Sequence, residues 1–257
     1  MPKPDFAFTM EQLAEGLSVC VTKEHRFGTD AFLLSDFANV RRRDTACDLG
    51  TGCGIIPLRW HDAGHRGPCW AVELDPQGTA LLQRATRECG AAHITALSAD
   101  LRALPPALPR AGLELVSCNP PYFTGGFVSQ KPGRGAARHE VSCTVEDVCA
   151  AAAQLLKDGG RLCLCNRPAR LTDCMVAMRL QGIEPKRLRF VRQRPGKGPW
   201  LFLLDGRRHG KPGLVLMEDL VIEAAGGGFS AELLRIYGGP GREDGPGPTP
   251  KKEEGGL

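Results

Sequence analysis

Asp48-Leu49-Gly50-Thr51-Gly52-Cys53-Gly54 lies between a short apolar run, residues 45–49, and a helical pattern that begins near Ile55. Three glycines in a turn between a strand and a helix let a nucleotide-like ligand approach the backbone above the carboxyl end of the strand. Pro57 falls in the first helical turn, where its missing N–H costs nothing. Reading outward from this turn, strand and helix patterns alternate. Residues 69–73 and 94–97 read as strands, with a helix over 76–88 between them that stops near Gly90, and 113–118 reads as a fourth strand. Thr144-Val145-Glu146-Asp147 matches a capping box and opens a helix through Leu155 and Leu156, which Gly159 and Gly160 are expected to end. A fifth strand over 161–165 and a helix over 171–181 follow. Strands connected by helices imply an α/β fold, a parallel sheet covered on both faces. The pattern then changes. Residues 185–194 and 200–205 read as an antiparallel pair joined by the loop 195–199, and 214–222 as one further strand. In the first of the pair, Arg187 and Arg189 alternate with Leu188 and Phe190, which predicts a half-buried strand with a basic outer face.

The chain of 257 residues is long enough for one α/β domain, expected over residues 1–237, with disorder in the Gly-, Pro- and charge-rich segment 238–257. Neither a secretory leader nor a membrane-spanning apolar run is spelled out, so a cytoplasmic location and no membrane partner are expected. The 11 cysteines include no Cys-x-x-Cys pair and sit mostly inside apolar stretches, which reads as buried free thiols in a reducing compartment rather than a metal site or disulfides. The formal net charge of +4 hides an asymmetry: residues 157–211 are strongly basic, whereas residues 212–257 are net acidic. A basic third on a near-neutral body points to a polyanionic partner, although a merely solvated surface has the same composition.

Two acids accompany the glycine turn. Glu73 closes the second strand, where a carboxylate can accept from both hydroxyls of a ribose. Asp48 directly precedes the glycines, and the spacing is Gly-x-Gly-x-Gly rather than the Gly-x-Gly-x-x-Gly of a pyrophosphate-binding turn. An anionic Asp48 suits the cationic amino-acid end of S-adenosylmethionine and is a poor neighbour for pyrophosphate, so the methyl donor is favoured over a dinucleotide. Asp100, after the third strand, suits either the adenine amine of that cofactor or the cap of a helix. Asn119-Pro120-Pro121-Tyr122 ends the fourth strand. The prolines fix the backbone and remove donors, leaving the Asn119 side-chain oxygen and the Pro120 carbonyl to accept from one –NH2 group. Tyr122 can stack on a flipped-out base. Positioning and electrostatics then carry catalysis without a separate general base. The glycine-laden loop 124–137, with Lys131 and Arg134, reads as a lid over the target nucleotide.

These two motifs resemble those of the amino methyltransferases of the class I Rossmann-like fold. More particularly, the chain is similar to the bacterial adenine-N6 methyltransferases that modify the adenosine 3′ of the anticodon in valine tRNA. The similarity runs from about Gly16 to Tyr237. It includes His25-Arg-Phe-Gly-Thr-Asp-Ala-Phe-Leu-Leu34, Ala137-Arg-His-Glu140 and Arg192-Gln-Arg-Pro-Gly-Lys197. The resemblance implies a mostly parallel seven-stranded sheet with helices on both faces and an antiparallel C-terminal strand pair. It implies a cofactor pocket of Phe27, Gly28, Thr29, Asp30, Asp48, Gly50, Gly52, Gly54, Glu73, Asp100 and Asn119, with residues 1–44 capping the cofactor. It also implies catalysis by Asn119, Pro120 and Tyr122 on a tRNA substrate. Lys131, Arg134, Arg138, His139, Arg187, Arg189, Arg192, Arg194 and Lys197 are the candidate RNA contacts, no metal is expected, and a monomer is the expected state. Two rival activities share the Asn-Pro-Pro-Tyr chemistry: methylation of a guanine amine in ribosomal RNA, and of a glutamine amide in a release factor. Only 47 residues precede Asp48, too few for the helical recognition domain usual in the second, and the basic 157–211 region also favours RNA.

Overall fold

The computed structural model describes residues 6–14, 16–120 and 143–238. An N-terminal hairpin, β1 (Thr9–Ala14) and β2 (Leu17–Val21), turns at Gly16 and leads into α1 (Thr29–Ala38). The alternating region follows as β3 (Ala46–Leu49), α2 (Ile55–Asp62), β4 (Cys69–Glu73), α3 (Pro76–Glu88), β5 (Ile94–Ser98) and β6 (Leu113–Cys118). After residue 142 come α4 (Val145–Leu155), β7 (Leu156–Asn166), α5 (Leu171–Leu180), β8 (Ile183–Arg192), β9 (Pro199–Arg208), β10 (Val215–Leu216), β11 (Leu220–Val221) and α6 (Ala231–Gly238). The capping box at Thr144 forms as the sequence predicts, with reciprocal bonds between Thr144 and Asp147.

Seven full strands make the main sheet in the order β8-β9-β7-β6-β3-β4-β5. Of these only β9 runs antiparallel to its neighbours. This is the mostly parallel sheet expected, with its antiparallel pair. The segment expected as one further strand is instead two two-residue pieces, β10 and β11, each adding to the outer edge of β8. Gly159 and Gly160 do not end a helix either. Helix α4 stops at Leu155, and the glycines lie inside β7 where its register against β6 shifts. A Cβ at Gly160 would stand 2.6 Å from the Leu113 carbonyl, so the strand needs glycine for that approach.

Period-two alternation along the strands sorts the core into two layers. Leu115, Cys163 and Leu203 face α1, α2 and α3 through Phe32, Leu58, Trp60 and Leu81. Their strand neighbours Val116, Leu162, Leu164, Phe202 and Leu204 face α4 and α5 through Val148, Leu155, Cys174 and Met178. All 11 cysteines are free thiols and nine of them are buried, serving as small apolar residues. The C-terminal helix closes the first layer. Phe32 meets Tyr237 edge-on with centroids 4.9 Å apart, the Tyr237 and Thr29 hydroxyls are 2.7 Å apart, and the Arg59 guanidinium donates to the Ile236 carbonyl at 2.5 Å. The last helix therefore clamps the start of α1, across 208 residues of sequence.

Gly54 shows how tightly the cofactor-type turn is tied to this packing. It has φ +84°, and a Cβ there would run into the Leu82 side chain of α3. Gly54→Ala is expected to destabilise the fold by about 2–4 kcal/mol, from left-handed strain plus overpacking. A urea unfolding curve with an unchanged midpoint would refute that coupling.

Candidate active site

From β3 the chain steps outward through β4 to β5, then returns to place β6 on the other side of β3. The loops leaving β3 and β6 diverge, and such a reversal opens a crevice at the carboxyl ends of the strands. Leu49 pairs with Cys118 across β3 and β6, so Gly50 and Asn119 leave the sheet side by side. Glu73 ends the adjacent β4, opposite Ser98 of β5, and Asp100 follows two residues later. The fold thus gathers Asp48, the glycine turn, Glu73, Asp100 and Asn119 along one edge.

The turn itself is rigidly built. Gly50 and Thr51 donate their N–H groups to the Val72 carbonyl at 2.8 and 3.0 Å, and Gly50 and Gly52 both have positive φ. Above Gly50 and Gly52 a Cβ would meet nothing within 4 Å, which leaves room for a ligand. Glu73 is half-buried and braces the turn: its carboxylate accepts from Gly52 N–H at 2.7 Å and from Asp75 N–H at 3.0 Å. Each oxygen keeps a second lone pair for an outside donor. Asp48 is 1% exposed and accepts from the Ser117 hydroxyl at 2.5 Å. Burial pushes its carboxyl up to about 7, against the pull of the Ser117 bond. No ion pair reaches it among the described residues. A buried carboxylate without a cation, below an open glycine cradle, fits the ammonium end of S-adenosylmethionine. Asp100 caps the short 3-10 turn at 101–103, accepting from Arg102 N–H at 2.9 Å. Its ion pair with Arg102 at 2.5 Å is the main reason its carboxyl lies below the usual range.

The N-terminal segment reaches the same edge. Gly28 caps α1, Asp30 accepts from Ala31 N–H at 2.9 Å, and Phe27 packs 5.8 Å from Phe32. His25 stands 3.4 Å from Asp75, the cap of α3, and a Cβ at Gly78 would be 3.0 Å from the His25 ring. Asp75 and Gly78 are not read as site residues from the sequence, and His25 only opens the similar stretch that runs to Leu34. Their only local signal is the Asp-Pro cap, and their meeting is tertiary. Asn119 is half-exposed and Pro120 buried. The buried Cys165 thiol of β7 donates to the Asn119 side-chain oxygen at 3.0 Å. Tyr122, Lys131, Arg134, Arg138, His139 and the loop 124–137 lie outside the described residues, as does most of the segment 238–257.

The basic outer face expected on β8 is not present. Arg187 pairs with the buried Asp205 at 2.5 Å and lies over the Phe37 ring. Arg189 makes a forked pair with Glu232 at 2.7 and 2.8 Å. Arg192 pairs with Asp219 and bonds the Lys197 carbonyl at 2.5 Å, and Arg194 is 3.9 Å from Glu223. The physical reason is charge compensation: Asp205 of β9 meets Arg187, and Glu232, Asp219 and Glu223 of the acidic stretch 218–232 meet Arg189, Arg192 and Arg194. The two halves of the sequence asymmetry largely neutralise each other here. Among the described residues there is no group of His, Cys, Asp and Glu that could hold a metal ion, and no helix is long and apolar enough to cross a membrane.

The sheet order, the glycine turn and the flanking acids define a class I methyltransferase fold. The crystal structure of a predicted O-methyltransferase from Agrobacterium tumefaciens superposes with a TM-score of 0.68 at 20% identity, covering 81% of this chain and 95% of that one. A geranyl diphosphate C-methyltransferase from Streptomyces coelicolor A3(2) superposes with a TM-score of 0.51 at 14% identity, covering 69% and 79%. Within that class the chain is a relative of bacterial enzymes named tRNA1(Val) (adenine(37)-N6)-methyltransferase. It is 27% identical to the one from Porphyromonas gingivalis over 220 residues, 82% of this chain and 86% of that protein. With the one from Aeromonas salmonicida it shares 27% over 238 residues, covering 89% and 94%. A 114-residue stretch is 37% identical to the one from Shewanella amazonensis, spanning 43% of this chain and about half, 47%, of that enzyme. No family model matches the chain.

Proposed function

We infer that the chain transfers a methyl group from S-adenosylmethionine to the exocyclic N6 of an adenosine in tRNA, the adenosine 3′ of the anticodon in valine tRNA. The observation that carries this is the placement of Asn119 and Pro120 beside the glycine turn at the reversal of the sheet, in a chain whose relatives bear that name. When bound, the cofactor would supply an electrophilic methyl on a sulfonium sulfur, which leaves as a neutral thioether as its bond to that methyl breaks. Asp48 would face its ammonium end and Glu73 its ribose hydroxyls. The Asn119 oxygen and the Pro120 carbonyl accept the two hydrogens of the target amine. That draws the nitrogen lone pair out of conjugation with the ring and holds it toward the methyl. Once the new C–N bond forms, the amine nitrogen is cationic and loses its extra proton to water, so no buried base is required.

Cys165 acts here as a positioning residue. A side-chain amide has two faces, and only the one presenting oxygen can accept from an –NH2 group. By donating to Oδ1, the thiol fixes the oxygen-bearing face of the amide toward the substrate side. Cys165→Ala is expected to lower kcat about five- to tenfold, the worth of one modest hydrogen bond, with the cofactor Kd unchanged. Cys165→Ser, which keeps a donor, should retain most of the rate. Full kcat in the alanine variant would remove this role.

The function is tested by incubating the protein with labelled S-adenosylmethionine and unmodified total tRNA, then analysing nucleosides. N6-methyladenosine is the expected product. Label on ribosomal RNA as N2-methylguanosine, or on a release-factor glutamine, would replace the substrate.

A further inference from the structure

At the end of α1 remote from the cofactor turn, a cavity of about 360 Å³ opens between that helix and strands β7, β8 and β9. Arg41, Arg161, Lys186, Arg187 and Arg207 line it, with Asp205 as the one carboxylate in the lining. Asp205 is 2% exposed and already engaged by Arg187 at 2.5 Å and Arg161 at 3.7 Å. Among the described residues no carboxylate pairs with Arg41, Lys186 or Arg207, since the neighbouring Glu184 is held by Arg179 at 3.2 Å. The cavity therefore carries a net charge of four positives.

Two features separate this cavity from an ordinary solvated face. Arg161 and Arg207 stand directly opposite each other across β7 and β9, a like-charge pair that a sheet does not favour unless an anion relieves it. Two of the guanidinium groups, those of Arg161 and Arg187, are also pre-positioned. Arg161 donates to the Asn39 carbonyl at 3.3 Å, and Arg187 donates to the Phe37 carbonyl at 3.2 Å while lying 4.7 Å over the Phe37 ring. Each of these groups has five N–H donors and keeps some unused. Fixed, convergent donors in a partly desolvated concavity are the arrangement that binds an oxyanion well, because little reorganisation is needed on binding.

We propose that this cavity is a seat for a phosphate group. The basic excess of residues 157–211, neutralised along β8 by the acidic stretch 218–232, is left uncompensated here. Two sources offer that chemistry: a backbone phosphate of the RNA substrate outside the methylated nucleotide, and free inorganic phosphate. The RNA source rests on the function inferred above.

The test uses the full chain and the double variant Lys186→Gln/Arg207→Gln. Thermal unfolding is followed in inorganic phosphate and in chloride at matched ionic strength. Binding of total tRNA is measured without methyl donor across a range of salt concentrations. The wild type is expected to show a saturable rise in melting temperature with phosphate, lost in the variant. Its tRNA affinity should exceed that of the variant about tenfold, with a salt slope steeper by about one to two. Loss of the phosphate response with unchanged tRNA affinity supports the seat and makes free phosphate its ligand. A variant that matches wild type in both measurements overturns the proposal. Should the double variant fail to fold, Arg41→Gln, on an exposed side chain, carries the same two readouts. Neither readout involves methyl transfer, so a wrong substrate assignment would appear separately, as absent N6-methyladenosine with the phosphate response intact.

Discussion

Asn119→Ala is expected to reduce kcat for tRNA methylation by about 10²–10³-fold while leaving the cofactor Kd within about twofold of wild type. The effect is large because the amide acts only on the reacting nitrogen. Its oxygen and the Pro120 carbonyl are the acceptors that hold the amine pyramidal, and one preorganised polar group at a reacting centre is worth about 10²–10³ in rate. Truncation also leaves the Cys165 thiol without this acceptor, but Asn119 is half-exposed and lies beyond the end of β6, so the sheet should not suffer. The measurement is single-turnover transfer on saturating tRNA, paired with calorimetric titration of S-adenosylmethionine. A rate within tenfold of wild type would place the chemistry elsewhere. A loss of cofactor affinity equal to the loss of rate would make Asn119 part of the cofactor pocket instead.

Much of this candidate site is legible in the sequence because its determinants are local. The glycine turn, the acid at the end of β4, the cap of α4, and the Asn-Pro-Pro turn each declare themselves within a few residues. Strand and helix periods gave β4, α3 and β6 with the bounds they have in the fold, since buried parallel strands are near-continuous apolar runs. What stayed hidden is what long-range packing decides. The Arg187/Arg189 alternation correctly marks a strand, yet no local pattern says that Asp205 and Glu232 will meet those charges. Gly159-Gly160 looks like a helix stop because glycine is permissive everywhere; that Gly160 serves a close approach to Leu113 depends on a residue 47 positions away. Helix α6 and its clamp on Thr29 lie beyond local inference for the same reason. The thiol beside Asn119 is one of 11 similar cysteines until β7 is placed next to β6.

Asp48→Asn should have opposite effects on stability and on cofactor binding. In the free protein, burial raises the Asp48 carboxyl to about 7, so the fold binds a proton that the unfolded chain releases near the ordinary aspartate value of 3.8. The sign follows directly. The stability that this held proton confers is fully present below about pH 4 and is lost as the pH rises through about 7. The loss is on the order of 4 kcal/mol. Asparagine keeps the shape and can still accept from Ser117, but it carries no charge to desolvate. The cofactor-free variant is therefore expected to melt several degrees above wild type at pH 8, with little difference at pH 4. Cofactor affinity should move the other way. With the ammonium of S-adenosylmethionine beside it, the Asp48 carboxylate becomes a paired charge, so wild-type affinity should strengthen from pH 6 to pH 8 as the free protein gives up the proton. The variant should bind at least about tenfold more weakly at pH 8, the scale of one lost charge-assisted hydrogen bond, with little pH dependence left. A variant that binds as tightly as wild type at pH 8 would show that the buried carboxylate does not hold the ammonium. A variant with unaltered stability would show that Asp48 is not held near neutrality by burial. The two measurements separate those failures, because the melting temperature is read without the ligand and the affinity with it.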